Sequence, residues 1–332
     1  MSEVLLLTYE DVSRLLSITD VIKYVEEAFR EKGLKRVQMP PKIYLNFHKY
    51  NGDLRVMPAY FESLDIAGVK IVNSHMNNRK YGLPTVMALI EIVEPKTGKP
   101  LAVMDGTLIT LFRTGAASAI ATKYLANKDS RVLGIVGAGA QSYTQVEAIT
   151  SVMTIEEVRI FDIDRQAADK LATYVSERRL VKEVVIDNDI RTLSQNSDII
   201  TTLTPSRSPL VFLEWIKKGV HFNAIGADAP GKQELDPKIL KVGKIIVDDI
   251  EQTVHSGEIN VPISKGILSK EDIYGELGEV VAGLKQGRTE KEEITIFDST
   301  GLAILDVITG YYVYKKAVDN NIGIKSNLVK TK

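Results

Sequence analysis

A chain of 332 residues, 44% of them apolar, is long enough for two domains with cores of their own. Its formal net charge of −1 gives no electrostatic case for a nucleic-acid or membrane partner. The absence of cysteine excludes disulfides, thiolate catalysis and Cys-ligated zinc.

The N-terminal run Met1-Ser2-Glu3-Val4-Leu5-Leu6-Leu7 has no basic region and too short an apolar stretch for a signal peptide. No segment is apolar over a membrane-spanning length, so a cytoplasmic protein is expected. Ser17-Ile18-Thr19-Asp20 reads as a helix N-cap. The helix runs to about Lys32, with Val21, Val25, Ala28 and Phe29 on one face and Gly33 as its stop. Pro40-Pro41 breaks the chain. Strand-like segments follow over 43–47, 54–57, 67–73, 85–93 and 100–104, parted by turn signals at Asn51-Gly52, Tyr81-Gly82 and Thr97-Gly98. This half reads as a mostly antiparallel sheet with helices. The Ala-rich stretch 107–125 is a long helix ending near Asn127-Lys128.

The strongest signal comes next. Val132 to Val136 is a buried strand ending in Gly137-Ala138-Gly139, followed by a helical stretch from Ser142 to Met153 and a second strand, 158–161, closed by Asp162. That order is the pattern of a dinucleotide-binding βαβ unit. Gly137 permits the tight turn, Gly139 lets the backbone approach a pyrophosphate, and the helix N-terminus offers N–H groups to it. Asp162 can accept hydrogen bonds from an adenosine ribose. Ser142 stands where the usual third glycine would be. Strands at 184–186, 198–203, 221–226 and 244–248 alternate with short helices at 191–196 and 213–218, which extends a doubly wound parallel sheet. The expected fold is α/β: a Rossmann domain over 128–299 and an α+β substrate and dimerisation domain over 1–127. A last helix from Thr300 to Asn320 can pack back on the first domain, and Lys325 to Lys332 reads as a polar tail.

Several residues can carry chemistry. Lys70 sits inside the apolar run Gly68 to Asn73; buried, it is a general acid/base of lowered pKa, and on an edge strand it simply faces solvent. Arg113, among small and apolar neighbours, suits bidentate binding of phosphate or carboxylate, or reaches solvent from the helix. Asp228 and Lys232 lie in a turn-rich loop after a strand, where ligands of such sheets bind, although Asp also serves plain turns. Thr204 ends another strand and can touch the nicotinamide ribose. Arg55 follows the turn Asn51-Gly52-Asp53-Leu54 and can clamp a carboxylate, or stay a solvated turn residue. The four histidines, His48, His75, His221 and His255, have no close ligand spacing, so no metal is expected.

Further segments complete a resemblance. They include Met39 to Lys42, Asn51 to Ala59, Gly68 to His75, Gly82 to Ala88, Leu101 to Asp105, Arg113 to Ala117, Asn223 to Leu235, Val247-Asp248-Asp249, Gly257 to Asn260 and Ile296 to Gly301. With these the chain resembles, over nearly its full length, the ornithine cyclodeaminase/μ-crystallin family, and within it the archaeal-type alanine dehydrogenase branch. The resemblance implies an NAD-dependent oxidoreductase that converts L-alanine to pyruvate and ammonium and back, and a homodimer formed through the first domain's sheet. It matches Lys70 to the catalytic lysine and Lys42 and Arg55 to substrate-facing cations. Arg113 matches a residue on the cofactor phosphates. Thr114, Ala140 and Gln141, the segment Asp162-Ile163-Asp164, and Gly226, Ala227, Asp228, Lys232 and Ser299 match further cofactor or substrate contacts. In the expected mechanism Arg55 and Lys42 hold the carboxylate, while Lys70 or Asp228, tuning each other's pKa, moves the proton. Where cyclodeaminases place an acid for the distal ammonium, this chain has Met57, with Asp53 and Glu62 as the nearby carboxylates. The alternatives are ornithine cyclodeamination, cyclic imino acid reduction, or μ-crystallin-like binding of a small molecule. Asp162 favours NAD by repelling a 2′-phosphate, and Arg165 offsets that, leaving NADP open.

Overall fold

The computed structural model describes residues 3–328. The chain divides into two compact units, Met1–Arg113 with Leu302–Lys332, and Thr114–Gly301. The division falls inside the long helix rather than at residue 127. The expected tail beyond residue 328, and Met1 and Ser2, lie outside the described residues.

The first unit opens with β1 (Val4–Leu7), α1 (Tyr9–Leu15) and α2 (Ile18–Gly33). Ser17 caps α2, its side chain accepting from the amide of Asp20 at 3.3 Å. Val21, Ile22, Val25, Ala28 and Phe29 form its buried stripe. Gly33 is the last helical residue, not the stop; the left-handed position after the helix is Lys35, at φ 57°. Next come β2 (Val37–Gln38), β3 (Ile43–Phe47), β4 (Gly52–Phe61), β5 (Ile66–His75), β6 (Val86–Glu94), β7 (Lys99–Asp105) and α3 (Thr107–Leu125). Strands β3 to β7 pair antiparallel in sequence. The strands run longer than their apolar segments suggest, because ladder bonds continue into polar ends such as Asp53 and Ser74.

The second unit is built on β8 (Val132–Val136), α4 (Ala140–Val152), β9 (Glu157–Phe161), α5 (Arg165–Glu177), β10 (Glu183–Ile186), α6 (Ile190–Asn196), β11 (Ile199–Thr202), β12 (Arg207–Val211), β13 (His221–Ala224), β14 (Gln233–Leu235), α7 (Pro237–Val242), β15 (Lys244–Val247), α8 (Ile250–Ser256), α9 (Asn260–Ser264), β16 (Ile273–Glu276), α10 (Leu277–Val281) and β17 (Thr295–Asp298). Eight strands form one parallel sheet in the order β10-β9-β8-β11-β13-β17-β15-β16, and β12 and β14 pair beside it. Strands β11, β13 and β17 are buried at every residue, as a parallel sheet covered on both faces requires. Ile200, Phe222, Ile245 and Ile296 pack into one core, and Leu133, Ile160, Leu171 and Ile199 into another. Each such side chain contributes about 1.5–3 kcal/mol by leaving water. The segment 213–218, expected to be a helix, forms only a single tight turn at Leu213–Trp215.

The chain then returns to the first unit. Helix α11 (Ala303–Asp319) lies on β4, β5 and β6 and against α2. It ends at Asp319, and β18 (Ile324–Ser326) pairs antiparallel with β1, so the start of the expected polar tail is a strand. The first sheet therefore runs β18-β1-β7-β6-β5-β4-β2, with β3 also on β4.

Candidate active site

In the first unit, Lys70 lies on β5, a strand paired on both sides, directly across from Met57 and Ile90. The edge-strand alternative therefore does not hold. Its face of the sheet is the one under α11, and the residue is 1% exposed. The partner is Asp306, in the first turn of α11, whose Oδ2 lies 2.6 Å from Lys70 Nζ. The other oxygen, Oδ1, accepts from Nε of buried Arg113 at 3.0 Å. Lys70 Nζ also donates to Thr110 Oγ1 at 3.5 Å, and that hydroxyl donates to the carbonyl of Gly106. Burial lowers the Lys70 pKa to about 7 against the pull of Asp306, and the positive charges of Arg113 and Lys42 add to the lowering. With Lys70 protonated the buried trio carries one excess positive charge; with Lys70 neutral it balances. A substrate carboxylate would restore the balance of the protonated form.

Within the first unit the carboxylate on Lys70 is Asp306, and within the second Asp228 pairs with Lys232 at 2.5 Å. Arg55 is half-buried and engaged by Asp53, through Nη2 at 2.8 Å and Nε at 3.1 Å. Lys42 is half-buried and near enough to depress Lys70's pKa. Asp306 escaped the sequence reading, although it is a lone charge in the apolar run Ala303 to Ile308, the same signal that singled out Lys70 and Arg113.

In the second unit, the register aligns Phe161, Val136, Thr202, Ala224, Asp298 and Val247 in one row across six parallel strands. The nominated cofactor residues of this unit outside α3 follow that row, at the C-terminal edge of the sheet. Gly137 has φ 101°, and its amide donates to Phe161 O at 2.8 Å. Gly139 caps α4 with φ −76°, and a Cβ placed on it would meet nothing within 4 Å. No side chain caps the 13-residue α4, so Ala140 and Gln141 begin a helix whose first amides suit an anion. These features fit a dinucleotide pyrophosphate. Ser142, in the third-glycine position, is fully buried and turns its hydroxyl onto Gly139 O at 2.6 Å.

Asp162 accepts from Ala138 N at 2.6 Å and from Asp164 N at 2.8 Å, so it braces the glycine turn itself. A carboxylate has about four lone-pair directions, so this leaves capacity for a ribose. Ile163 beside it is 97% exposed, and Asp164 caps α5. Arg165 pairs with Asp169 at 3.2 Å, one helical turn along, both of them exposed. Thr204, expected at the nicotinamide ribose, donates its hydroxyl and its amide to Glu234 Oε1, both at 2.7 Å. Gly226 donates to Glu234 Oε2 at 3.0 Å. Ala227 is buried, Lys232 Nζ donates to Gly226 O at 3.3 Å, and Ser299 Oγ donates to Asp248 at 3.1 Å. Thr114 is buried on α3. His221 is buried between Thr295 and Asn223, and burial pushes it down to about 3; it is a neutral core residue. Among the described residues no group of three or more His, Asp or Glu is arranged to hold a metal ion, and no helix is long and apolar enough to cross a membrane.

The model of the ornithine cyclodeaminase/mu-crystallin family matches residues 2–321. An alanine dehydrogenase of Archaeoglobus fulgidus is 52% identical over 323 residues, which are 97% of this chain and 98% of that one. Among solved structures, an archaeal alanine dehydrogenase dimer with bound NAD is similar at a TM-score of 0.94 and 51% identity, covering 98% of this chain and 100% of that one. A Δ1-pyrroline-2-carboxylate reductase of Thermococcus litoralis, in complex with NADH and L-proline, is similar at a TM-score of 0.93 and 40% identity, covering 96% and 99%.

Proposed function

The chain belongs to the ornithine cyclodeaminase/mu-crystallin family, and on that footing we propose that it is an NAD-dependent dehydrogenase interconverting L-alanine with pyruvate and ammonium. The observation that carries the reading is Lys70: a buried amine held by Asp306, with burial lowering its pKa to about 7. A group so poised can take a proton from a substrate ammonium and return one later. NAD, when bound, supplies the acceptor for the hydride leaving the substrate Cα. Gly137, Gly139 and the α4 N-terminus would hold its pyrophosphate and Asp162 its ribose, and Asp162's charge favours NAD over a 2′-phosphorylated cofactor.

In the oxidative direction, neutral Lys70 accepts a proton from the alanine ammonium. Loss of hydride from Cα then leaves a protonated imine, which water attacks, and Lys70 in its two protonation states passes protons during addition of water and loss of ammonia. Lys42 and Arg113 supply positive charge for the substrate or cofactor anions. Asp228, paired with Lys232, is a second candidate to move a proton.

The neighbours of Lys70 argue against ornithine cyclodeamination. Its cross-strand partners are apolar Met57 and Ile90, Asp53 is paired with Arg55, and exposed Glu62 accepts from Gln38. A second reading, reduction of a cyclic imine, has the likeness to the T. litoralis reductase in its favour and uses the same lysine as proton donor.

A homodimer belongs to the same reading. Ile43, Val56, Ile71 and Leu89 stand in one cross-strand row on the sheet face opposite Lys70, and Ile43, Ile71 and Leu89 are 60%, 41% and 57% exposed. A contiguous apolar surface of this kind marks an interaction face. A cytoplasmic setting, where a dinucleotide pool is available, completes the proposal.

The test follows reduced nicotinamide absorbance with purified protein, NADH, ammonium and pyruvate. Oxidation with pyruvate faster than with Δ1-pyrroline-2-carboxylate is the expected result. No oxidation with pyruvate, with the cyclic imine reduced, moves the assignment to the second reading.

A further inference from the structure

Four carboxylates in the second unit are 0% exposed: Asp248 and Asp298 at the C-terminal edge of the parallel sheet, Glu234 on β14 and Glu258 between α8 and α9. Their hydrogen bonds form a chain. Asp248 accepts from the amides of Thr300 and Gly301, each at 2.7 Å, and from Ser299 Oγ at 3.1 Å. Asp298, ending β17, accepts from the amides of Glu258 and Ile259 at 2.9 and 3.1 Å. Glu258 accepts from the amides of Glu234 and Leu235, the latter at 2.6 Å. Glu234 accepts from Thr204 twice and from Gly226 once. Each carboxylate fixes the backbone that carries the next, and the last one fixes two loops at the cofactor edge.

The packing is tight where the chain ends. A Cβ on Gly226 would lie 2.3 Å from Thr204 O and 2.4 Å from Glu234 Oε2, so the Thr204 backbone and then Glu234 leave room only for glycine. The far side of the same loop is held by buried Asn260, whose side chain accepts from Gly231 N at 2.9 Å and donates to Lys232 O at 3.0 Å. Burying so many acidic groups side by side is unfavourable: burial raises Glu234 to about 7 and Glu258 and Asp298 well above their usual range, and the negative charge of Glu234 raises Glu258 further. The chain runs through the segments Val247-Asp248-Asp249, Gly257 to Asn260 and Asp298 to Gly301.

We propose that Glu234, backed by Glu258, Asp298 and Asp248, is a positioning residue for the dinucleotide: it sets the backbone of Thr204 and Gly226 so that the loops after β11 and β13 present themselves to the bound cofactor. The inference rests on the dehydrogenase reading. A carboxylate is needed because one oxygen accepts two donors from Thr204 while the other accepts from Gly226; glutamine turns an NH2 toward one of them and leaves a donor facing a donor.

The test is Glu234→Gln, with NADH dissociation constants from fluorescence titration, steady-state kinetics and thermal unfolding. The expected result is an NADH Kd and KM raised about tenfold, with kcat at saturating NADH within about twofold of wild type. An unchanged NADH Kd, or a kcat loss without a Kd change, overturns the inference. Glu258→Gln, one step behind, serves if the first variant fails to fold; a smaller rise in NADH Kd supports the inference and none overturns it. Wild-type protein that binds no NADH overturns the dehydrogenase reading and this inference with it, whereas NADH binding equal in wild type and variants overturns this inference alone.

Discussion

The shared carboxylate of Asp306 makes the protonation of Lys70 depend on three charges at once. The sign of its pH dependence follows. Burial has lowered the ammonium's pKa to about 7, so the neutral base is populated as pH rises through that value. The kcat/KM for L-alanine is therefore expected to rise through about pH 7. Asp306 favours the charged lysine, so Asp306→Asn removes an attraction and leaves Arg113's repulsion; the rise should move to lower pH, on a lower activity plateau. Lys70→Ala should cost about a hundredfold or more in kcat while NADH still binds. Initial-rate pH profiles of the three proteins decide; a wild-type profile flat across pH 6 to 8 refutes the assignment of Lys70 as the base. Lys70 and Arg113 were legible in the sequence as charges in apolar runs. Their partner was not paired with them, because Asp306 lies 193 positions from Arg113 and is brought to it only by the return of α11.

At the scale of elements, the strand-turn-helix from β8 to α4 was legible because its signals are local: an apolar run, glycines at fixed spacing, an acid after the next strand. The carboxylate chain was not, since its bonds join residues 24, 40 and 52 positions apart. The two kinds of glycine at this edge separate binding from folding. Gly139 has ordinary backbone angles and open space where a side chain would start. Gly139→Ala should leave stability within about 0.5 kcal/mol and weaken NADH binding, because the methyl occupies ground a pyrophosphate needs. Gly226→Ala drives a methyl into the carbonyl of Thr204 and should destabilise by about 1–3 kcal/mol. Thermal unfolding beside NADH titration tests both. Equal loss of stability in the two variants contradicts the distinction, as does a Gly139→Ala protein with wild-type NADH affinity.

For the whole molecule, the question is what covers the outer face of the first sheet. The short strand-like segments and turn signals of residues 43–104 were read as a mostly antiparallel sheet, and an antiparallel sheet commonly keeps one face polar. Here the face away from α11 carries Ile43, Leu45, Ile71 and Leu89, all substantially exposed, so both faces are apolar. An open sheet with two apolar faces is stable against self-association only if a second surface covers it, and a second copy supplies a matching row by symmetry. Lysine introduced at the centre of such a row would be buried unpaired in the dimer yet solvated in the monomer. Ile71→Lys with Leu89→Lys is therefore expected to convert a dimer to a monomer in light scattering, while unfolding of the second unit and NADH binding persist, since its glycine turn and carboxylate chain lie wholly within that unit. A double variant that remains dimeric places the subunit contact elsewhere on the protein.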